Sequence, residues 1–323
     1  MSRFVLRRLG SALVLLLVVL TFTFFLIHLA PGEPTRLYEN QFISQEMRES
    51  LRRLYGWDRP LWEQYLRWLK AAFSGDWGTS LSQRRPVFEL LISRLPATAL
   101  LVFAGVLIEH ALGLWIGIKA ARHPDGLFDR LATRASLIFH SIPAFVLGLL
   151  AIEWLAVRWP LFPPQHMTSL DYPSLGAWGR LLDLAHHLAL PALVFGLVRC
   201  GAVVRFVRAG MIDVMARDFI RTARAKGLSE TRVLWVHALP NAAGPLIQRL
   251  GVNLPMLLSG TVVLEVVFAW PGLGTAVYGA ILQRDYPVVM AATALSGALV
   301  LIGSLAADLA HAWLDPRVRD HYA

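Results

Sequence analysis

Apolar residues run along this chain in six long stretches with few charges: Leu9 to Ala30, Ala97 to Ile118, Ala135 to Val157, Leu188 to Val207, Pro245 to Phe268 and Val288 to Leu314. A helix rises about 1.5 Å per residue, so about 20 apolar residues cross a hydrocarbon core of about 30 Å. The pattern predicts an all-α, polytopic membrane protein of about six transmembrane helices. The fourth stretch is the weakest, because Arg199 lies inside it. The first has the Arg3, Arg7, Arg8 start of a signal peptide, but its apolar run is too long for one, and Pro31 stands where a peptidase would need an extended bond. It reads as an uncleaved helix.

Composition supports the same picture. Of the 323 residues 56% are hydrophobic, more than a soluble domain with a polar surface would carry. The net charge of +9 does not indicate nucleic acid, since the basic residues are scattered among apolar spans rather than gathered in a stripe with aromatics. A single cysteine, Cys200, excludes an internal disulfide and a cysteine-based zinc cage.

Lys and Arg collect on one side of the predicted spans: Arg3, Arg7 and Arg8; Lys119, Arg122, Arg130 and Arg134; Arg205, Arg208, Arg217, Arg221, Arg224, Lys226 and Arg232; Arg317 and Arg319. Positive loops stay in the cytoplasm, so both termini are expected there. The division expected is a first helix over 1–30, an extracytoplasmic cap over 31–96, and a core over 97–323 with a cytoplasmic loop at 208–243. In the cap, Trp57, Trp62, Trp68 and Trp77 stand among charges, and Ser44 to Leu54 has helical amphipathicity. Those tryptophans fit either a folded helical cap or an interfacial belt.

The cytoplasmic loop reads as two short helices joined at an angle. Ala216, Ile220, Ala223 and Gly227 recur at i, i+4, i+7 and i+11 as a small-residue face, with Arg217, Arg221 and Arg224 on a basic one. Gly227 stands where a helix ends on a left-handed residue, and Ser229 can cap the next, which runs toward Leu239 before Pro240. A small-faced helix can press into a groove on a partner, and a stiff elbow can pass on that partner's movement; the same pattern also fits a basic loop on lipid headgroups.

Arg221-Thr222-Ala223-Arg224-Ala225-Lys226-Gly227-Leu228-Ser229, with Leu239-Pro240, resembles the loop motif of binding-protein-dependent ABC importer permeases, in their peptide and nickel branch. Ala223, Gly227, Leu239 and Pro240 keep its spacing, while Arg221, Thr222 and His237 replace its Glu, Ala and Ile; the first two departures resemble that branch. Pro240 stands where this branch often has Arg. Ala30-Pro31-Gly32-Glu33-Pro34 resembles the opening of the first of the two permeases, with Glu33 where Asp is commoner. Gly75 to Ser80, Arg85-Pro86-Val87, Leu95 to Thr98, Glu265 to Gly274, Arg284 to Pro287 and Asp315 to Arg319 are similar to that family too.

The resemblance implies a type I ABC importer permease fold in a prokaryotic inner membrane. It also implies a second homologous permease, two ATPase subunits or domains and an extracytoplasmic binding protein as partners. Arg221 to Ser229, Leu239 and Pro240 would receive the ATPases. No cofactor, metal or catalytic residue is expected here; ATP and magnesium would sit on the ATPase subunits. In keeping with that, the lysines Lys70, Lys119 and Lys226 follow Leu69, Ile118 and Ala225, so no Gly-Lys-Ser/Thr phosphate loop exists. Di- or oligopeptides are the cargo implied, with nickel complexes or another small solute as the alternative.

Charges inside spans carry a functional expectation. Glu109, His110, His140, Glu153, Arg199, Arg249 and Asp308 are the candidates. Glu109 and His110 point about 100° apart on a helix, poor geometry for a metal. Glu153, Arg199 and Arg249 either snorkel to an interface or, for the two arginines, line a cavity and meet a cargo carboxylate. His186-His187 reads as interfacial. Arg199 and Arg249, with Glu265, Phe268, Trp270, Pro271 and Gly272, form the candidate pathway or gate. A proton-coupled secondary transporter would show internal repeats and helices broken near the membrane centre, with paired acids to carry protons, and no convincing repeat is evident. A haem-binding subunit would need facing histidine pairs, and His140 has no evident partner.

Overall fold

A computed structural model describes residues 2–29, 46, 49–50, 53, 56, 58–242 and 261–314, without the side chains of 2–9, 12 and 306–314. Among these residues the protein is helical, with one isolated bridge between Thr79 and Pro86. The helices are α1 (Ser2–Leu29), α2 (Leu61–Phe73), α3 (Val87–Arg122), α4 (Leu127–Ser141), α5 (Ala144–Ala151, opening into a π-helical Ile152–Arg158), α6 (Ala177–Met215), α7 (Asp218–Ala225) and α8 (Glu230–Arg232). After a π-helical Val233–Ala238 come α9 (Leu239–Ala242), α10 (Val262–Val267), α11 (Leu273–Leu282) and α12 (Tyr286–Leu314). Arg249, the Ala30–Pro34 and Asp315–Arg319 motifs, most of Ser44–Leu54 and most of the fifth predicted span lie outside the described residues, as does the Asp308 side chain.

Proline sets three helix starts. Pro60, Pro86 and Pro143 hold φ at −56°, −53° and −57° with extended ψ, immediately before α2, α3 and α5. The third of these corrects the expectation of one span over Ala135 to Val157. Proline disfavours the helical region for its predecessor, and Ile142 accordingly takes φ −75° and ψ 125°. The chain breaks there, and α4 and α5 meet at 100°.

Helices α3, α6 and α12 are each long and apolar enough to cross a membrane, and α4 with α5 makes a fourth crossing if taken as one. Two of them overrun the predicted spans: α3 has 36 residues and passes through Pro96, so the boundary expected at 96/97 falls inside a continuous helix. The 39-residue α6 contains Pro191. It is the central helix, 67% buried over its most apolar window against 33% for α3 and for α12. That position explains its weak hydropathy, since a helix ringed by protein can carry an arginine that a lipid-facing one could not.

The α3–α6 seam is made of glycines. A Cβ on Gly105 would overlap the Phe195 ring, one on Gly117 would come within 2.7 Å of Val207 Cβ, and one on Gly196 would meet Ile108 Cβ at 2.8 Å. Small residues let membrane helices approach backbone to backbone, which substitutes dispersion contacts for a hydrophobic force that lipid does not supply. Antiparallel to α6 runs α4, with Ser136 against Gly201 and Asp129 bonded to Arg208.

At the far end of α1, α2 forms a cap. Phe24, Phe25, Tyr65 and Trp68 pack in one aromatic cluster, with Tyr286 of α12 against it. The Thr21 hydroxyl gives its proton to the Leu17 carbonyl at 2.7 Å, so Tyr65, 2.6 Å away, is the donor to Thr21. Of the cap tryptophans described, Trp68 and Trp77 pack against the helices while Trp62 is exposed.

Candidate functional site

The elbow begins where α6 ends. Arg217 is extended, and α7 follows with Asp218 in its first turn, where a carboxylate suits the helix dipole. At the other end Lys226 closes the helix and Gly227 takes φ +75°. The Gly227 amide donates to Arg224 O at 2.9 Å and the Leu228 amide to Ala223 O at 3.4 Å, the paired bonds of a Schellman turn. Leu228 supplies the apolar contact that usually accompanies such a turn, packing on the core beneath. Ser229 precedes α8 as expected, but its hydroxyl makes no capping bond, and the helix does not stop before Pro240: it widens into a π turn and continues to Ala242.

The middle of the small-residue face points inward, away from the side on which it was expected to meet a partner. Ile220 and Ala223 are buried against Met211, Val214, Val233, Leu234 and Ala238, whereas Ala216 and Gly227 are exposed. The reason is apolar area: Ile220 gains more by covering the end of α6 than by facing water. What faces outward is Phe219, Arg221, Thr222, Arg224, Ala225 and Lys226, with Trp235 and Val236 exposed nearby. Leu239 is partly buried and Pro240 exposed.

A forked ion pair braces the elbow across its bend. Arg224 Nη2 donates to Glu230 Oε1 at 2.7 Å and Nε to Oε2 at 3.1 Å. The hydrogen bonds from Arg224, with the charge of Arg122 at the end of α3, hold the Glu230 carboxyl below its usual range. Arg224 is correspondingly raised.

On the opposite side of the molecule, sequence motifs far apart in the chain meet in two polar knots. In the first, Glu265 is fully buried; Oε1 accepts from Thr98 Oγ1 at 2.7 Å and Thr261 Oγ1 at 3.0 Å, and Oε2 from the Thr275 amide at 3.1 Å. Thr98 in turn accepts from the Leu273 amide at 2.8 Å, and Trp270 Nε1 donates to Ala97 O at 2.8 Å. Gly274 is required there, because a Cβ would stand 2.9 Å from Glu265 Oε2. Ala269 turns the corner in the left-handed region at φ +48°.

In the second knot, Asp285 accepts from Ser80 Oγ at 2.6 Å, Ser82 Oγ at 2.7 Å and the amides of Leu81 and Ser82 at 3.1 and 3.0 Å. Buried carboxylates are tolerable only when so satisfied. Both knots join motif blocks that the sequence shows only as separate segments.

The candidate gate residues therefore sit within the chain's own packing. Glu265, Phe268, Trp270 and Gly272 are buried and Pro271 is partly so, its carbonyl accepting from Arg94 at 3.4 Å. Arg199 is part-buried, and its Nε donates to Glu109 Oε2 at 3.0 Å across the α3–α6 seam, where Glu109 is wholly buried. Glu153 is exposed and bonded to Arg158 at 2.9 Å. His186 and His187 turn to different partners, the Leu161 carbonyl at 2.8 Å and the Asp183 carbonyl at 2.9 Å. Gly113 and Gly117, at i and i+4, are the one trace of the glycine seam that the sequence carries.

Residues 113–320 match the family described as Binding-protein-dependent transport system inner membrane component. Residues 1–102 match the one described as Binding-prot-dependent transport system membrane comp, N-term. The chain is 38% identical to the Oligopeptide transport system permease protein AppB of Bacillus subtilis (strain 168), over 98% of this chain and 99% of that one. It is 34% identical to the Dipeptide transport system permease protein DppB of Escherichia coli (strain K12), over 99% of both. With the Di/tripeptide transport system permease protein DppB of Pseudomonas aeruginosa (strain UCBPP-PA14) it shares 36%, again over 99% of both.

Proposed function

The chain belongs to the binding-protein-dependent transport system inner membrane components, and from that premise we propose that it is a peptide-conducting permease subunit of an ATP-driven importer. The observation that carries this reading is similarity along the whole chain to permeases named for oligopeptide, dipeptide and di/tripeptide transport. Like its family, it is a multi-pass membrane protein that works with ATPases and an extracytoplasmic binding protein.

A second homologous permease completes the channel, and two ATPase subunits hold ATP and magnesium, this chain catalysing nothing. Both termini and the elbow face the cytoplasm, on the side where Lys and Arg collect. The ATPases receive the outward face of α7, with Arg221, Thr222 and Lys226 at the contact and Gly227 fixing the bend. The Schellman turn and the Arg224–Glu230 fork support this role, since a lever must be stiff at its corner. Leu228, Val233, Leu234 and Ala238 root the elbow in the ends of α3 and α6, so a push on α7 reaches the spans as a rigid displacement. On the other side, the Glu265 and Asp285 knots hold the loops around Trp270 and Ser80 in shape, as the frame of the outer mouth rather than its lining.

The test is reconstitution with the partner permease, the ATPases and the binding protein. Peptide-loaded binding protein should stimulate ATP hydrolysis, and a cysteine at Thr222 should cross-link to an ATPase subunit. Stimulation by a nickel-loaded binding protein alone would move the cargo to metal complexes; a Thr222 cross-link found only on the other side of the membrane would overturn the coupling role.

A further inference from the structure

We infer that α2 is an in-leaflet helix, lying at the boundary of headgroups and acyl chains on the cap side of the membrane, with Trp62, Leu66, Leu69 and Phe73 inserted among the chains. These residues fall at i, i+4, i+7 and i+11. At about 100° per residue they stand within about 60° of one another, in a stripe roughly 16 Å long. Trp62, Leu66 and Phe73 are 63%, 53% and 68% exposed, and Leu69 is partly so. A continuous apolar face of this kind marks contact with a second apolar phase.

The rest of the helix surface is occupied. Tyr65 and Trp68 pack on Phe24 of α1, along one flank of the stripe. Gln64, Trp68 and Ala71 line a cavity shared with Tyr286 and Met290 of α12, on the side away from the stripe. Glu63, Arg67 and Lys70 form a charged edge along the other flank. Helix α2 thus sets a charged edge beside an apolar face, the layout of a helix that lies in a membrane interface.

Depth identifies the second phase as the bilayer. Tyr65 bonds Thr21 through its hydroxyl at 2.6 Å and packs its ring on Phe24 and Phe25. These residues lie inside the apolar run Leu9 to Ala30, and Thr21 stands roughly 14 Å short of its end, so α2 touches a span at hydrocarbon depth rather than above it. Phe22 and Leu26 of α1 are exposed at the same level, where acyl chains surround the span. Charge agrees. Arg67 and Lys70 outnumber Glu63 within α2, and Glu63 is bonded by both Arg59 and Arg67; Asp58 and Asp76 lie beyond the helix ends. Long basic side chains on such an edge lay their stems on the chains and their heads at the phosphates.

The test uses the full chain in nanodiscs of phosphatidylethanolamine and phosphatidylglycerol. A nitroxide attached through Leu66→Cys or Phe73→Cys, with Cys200→Ala removing the native thiol, should be relaxed more by dissolved oxygen than by an aqueous nickel chelate. One attached through Lys70→Cys should show the reverse order. In the unsubstituted protein, a phospholipid carrying a diazirine partway along its acyl chain should label residues 61–73, a readout that needs no variant to fold. Leu66→Asp should abolish that labelling while α3 is labelled as before. The same relaxation order at Leu66 and Lys70, absence of the acyl label from 61–73, or capture of the binding protein or second permease by a photo-cross-linker at Phe73 in the assembled importer would overturn the inference.

Discussion

Thr98 gives its hydroxyl proton to Glu265 at 2.7 Å and takes one from the Leu273 amide at 2.8 Å, so one buried side chain ties α3 to both ends of the loop around Trp270. Thr98→Val removes both bonds and leaves the Leu273 amide buried without an acceptor, at a cost of about 1–3 kcal/mol. Thermal unfolding in detergent should show a clearly lower midpoint for Thr98→Val and a midpoint near the original for Thr98→Ser.

Gly227 has open space around its Cα but a φ of +75°, so its replacement is resisted by backbone conformation and not by crowding. Gly227→Val should strain or unwind the Schellman turn by about 1–2 kcal/mol. Peptide-stimulated ATP hydrolysis should fall while membrane insertion stays normal. Gly227→Asn, which tolerates the left-handed region, should retain most activity. Full coupling in the valine variant would remove the elbow from the mechanism.

The Arg224–Glu230 fork predicts an acid-sensitive bend. Because the folded carboxyl is held below its ordinary 4.5, the bond's contribution is complete above that pH and is lost as pH falls through the lower folded value. Both side chains are substantially exposed, 42% and 54%, so solvent screening keeps the energy small. Spin labels at Thr222 and Thr231 should lose a fixed separation on acidification below that point, and Glu230→Gln should show the looser separation at every pH.

Glu109 and Arg199 make the opposite case, a pair shielded by helices on both sides. Arg199→Met alone strands a buried carboxylate and should destabilise by about 3–5 kcal/mol, whereas Glu109→Gln with Arg199→Met should recover most of the loss. Peptide uptake by the double variant should approach that of the unsubstituted protein; uptake abolished in a well-folded double variant would return Arg199 to the cargo pathway.

Local features were legible in the sequence. Gly227 after Lys226 announced the turn, the apolar runs located α1, α3, α6 and α12, and the motif blocks were visible one by one. Pairings between distant residues were not. Thr98 and Glu265 lie 167 positions apart and Ser80 and Asp285 205, and no periodicity connects them. The bond from Arg199 to Glu109 is hidden in the sequence for the same reason, since its partner is on another helix, 90 residues earlier. The inward turn of Ile220 and Ala223 escaped for a related reason: a small-residue face shows that something packs closely, not what does. Pro143 was in plain view, but apolar residues on both sides made the broken segment read as one.

The glycines along α3 have a mechanical consequence. The Phe195 ring occupies the notch at Gly105, and the residues three positions either side on that face of α3, Val102 and Ile108, carry side chains that would block it. The two helices are thus keyed like a tongue in a slot: a turn of slippage would drive the ring into one of those side chains, so they swing as one beam. Whatever flexing a working cycle demands of this part of the protein is left to joints such as Ile142–Pro143, where the backbone is already out of helical register.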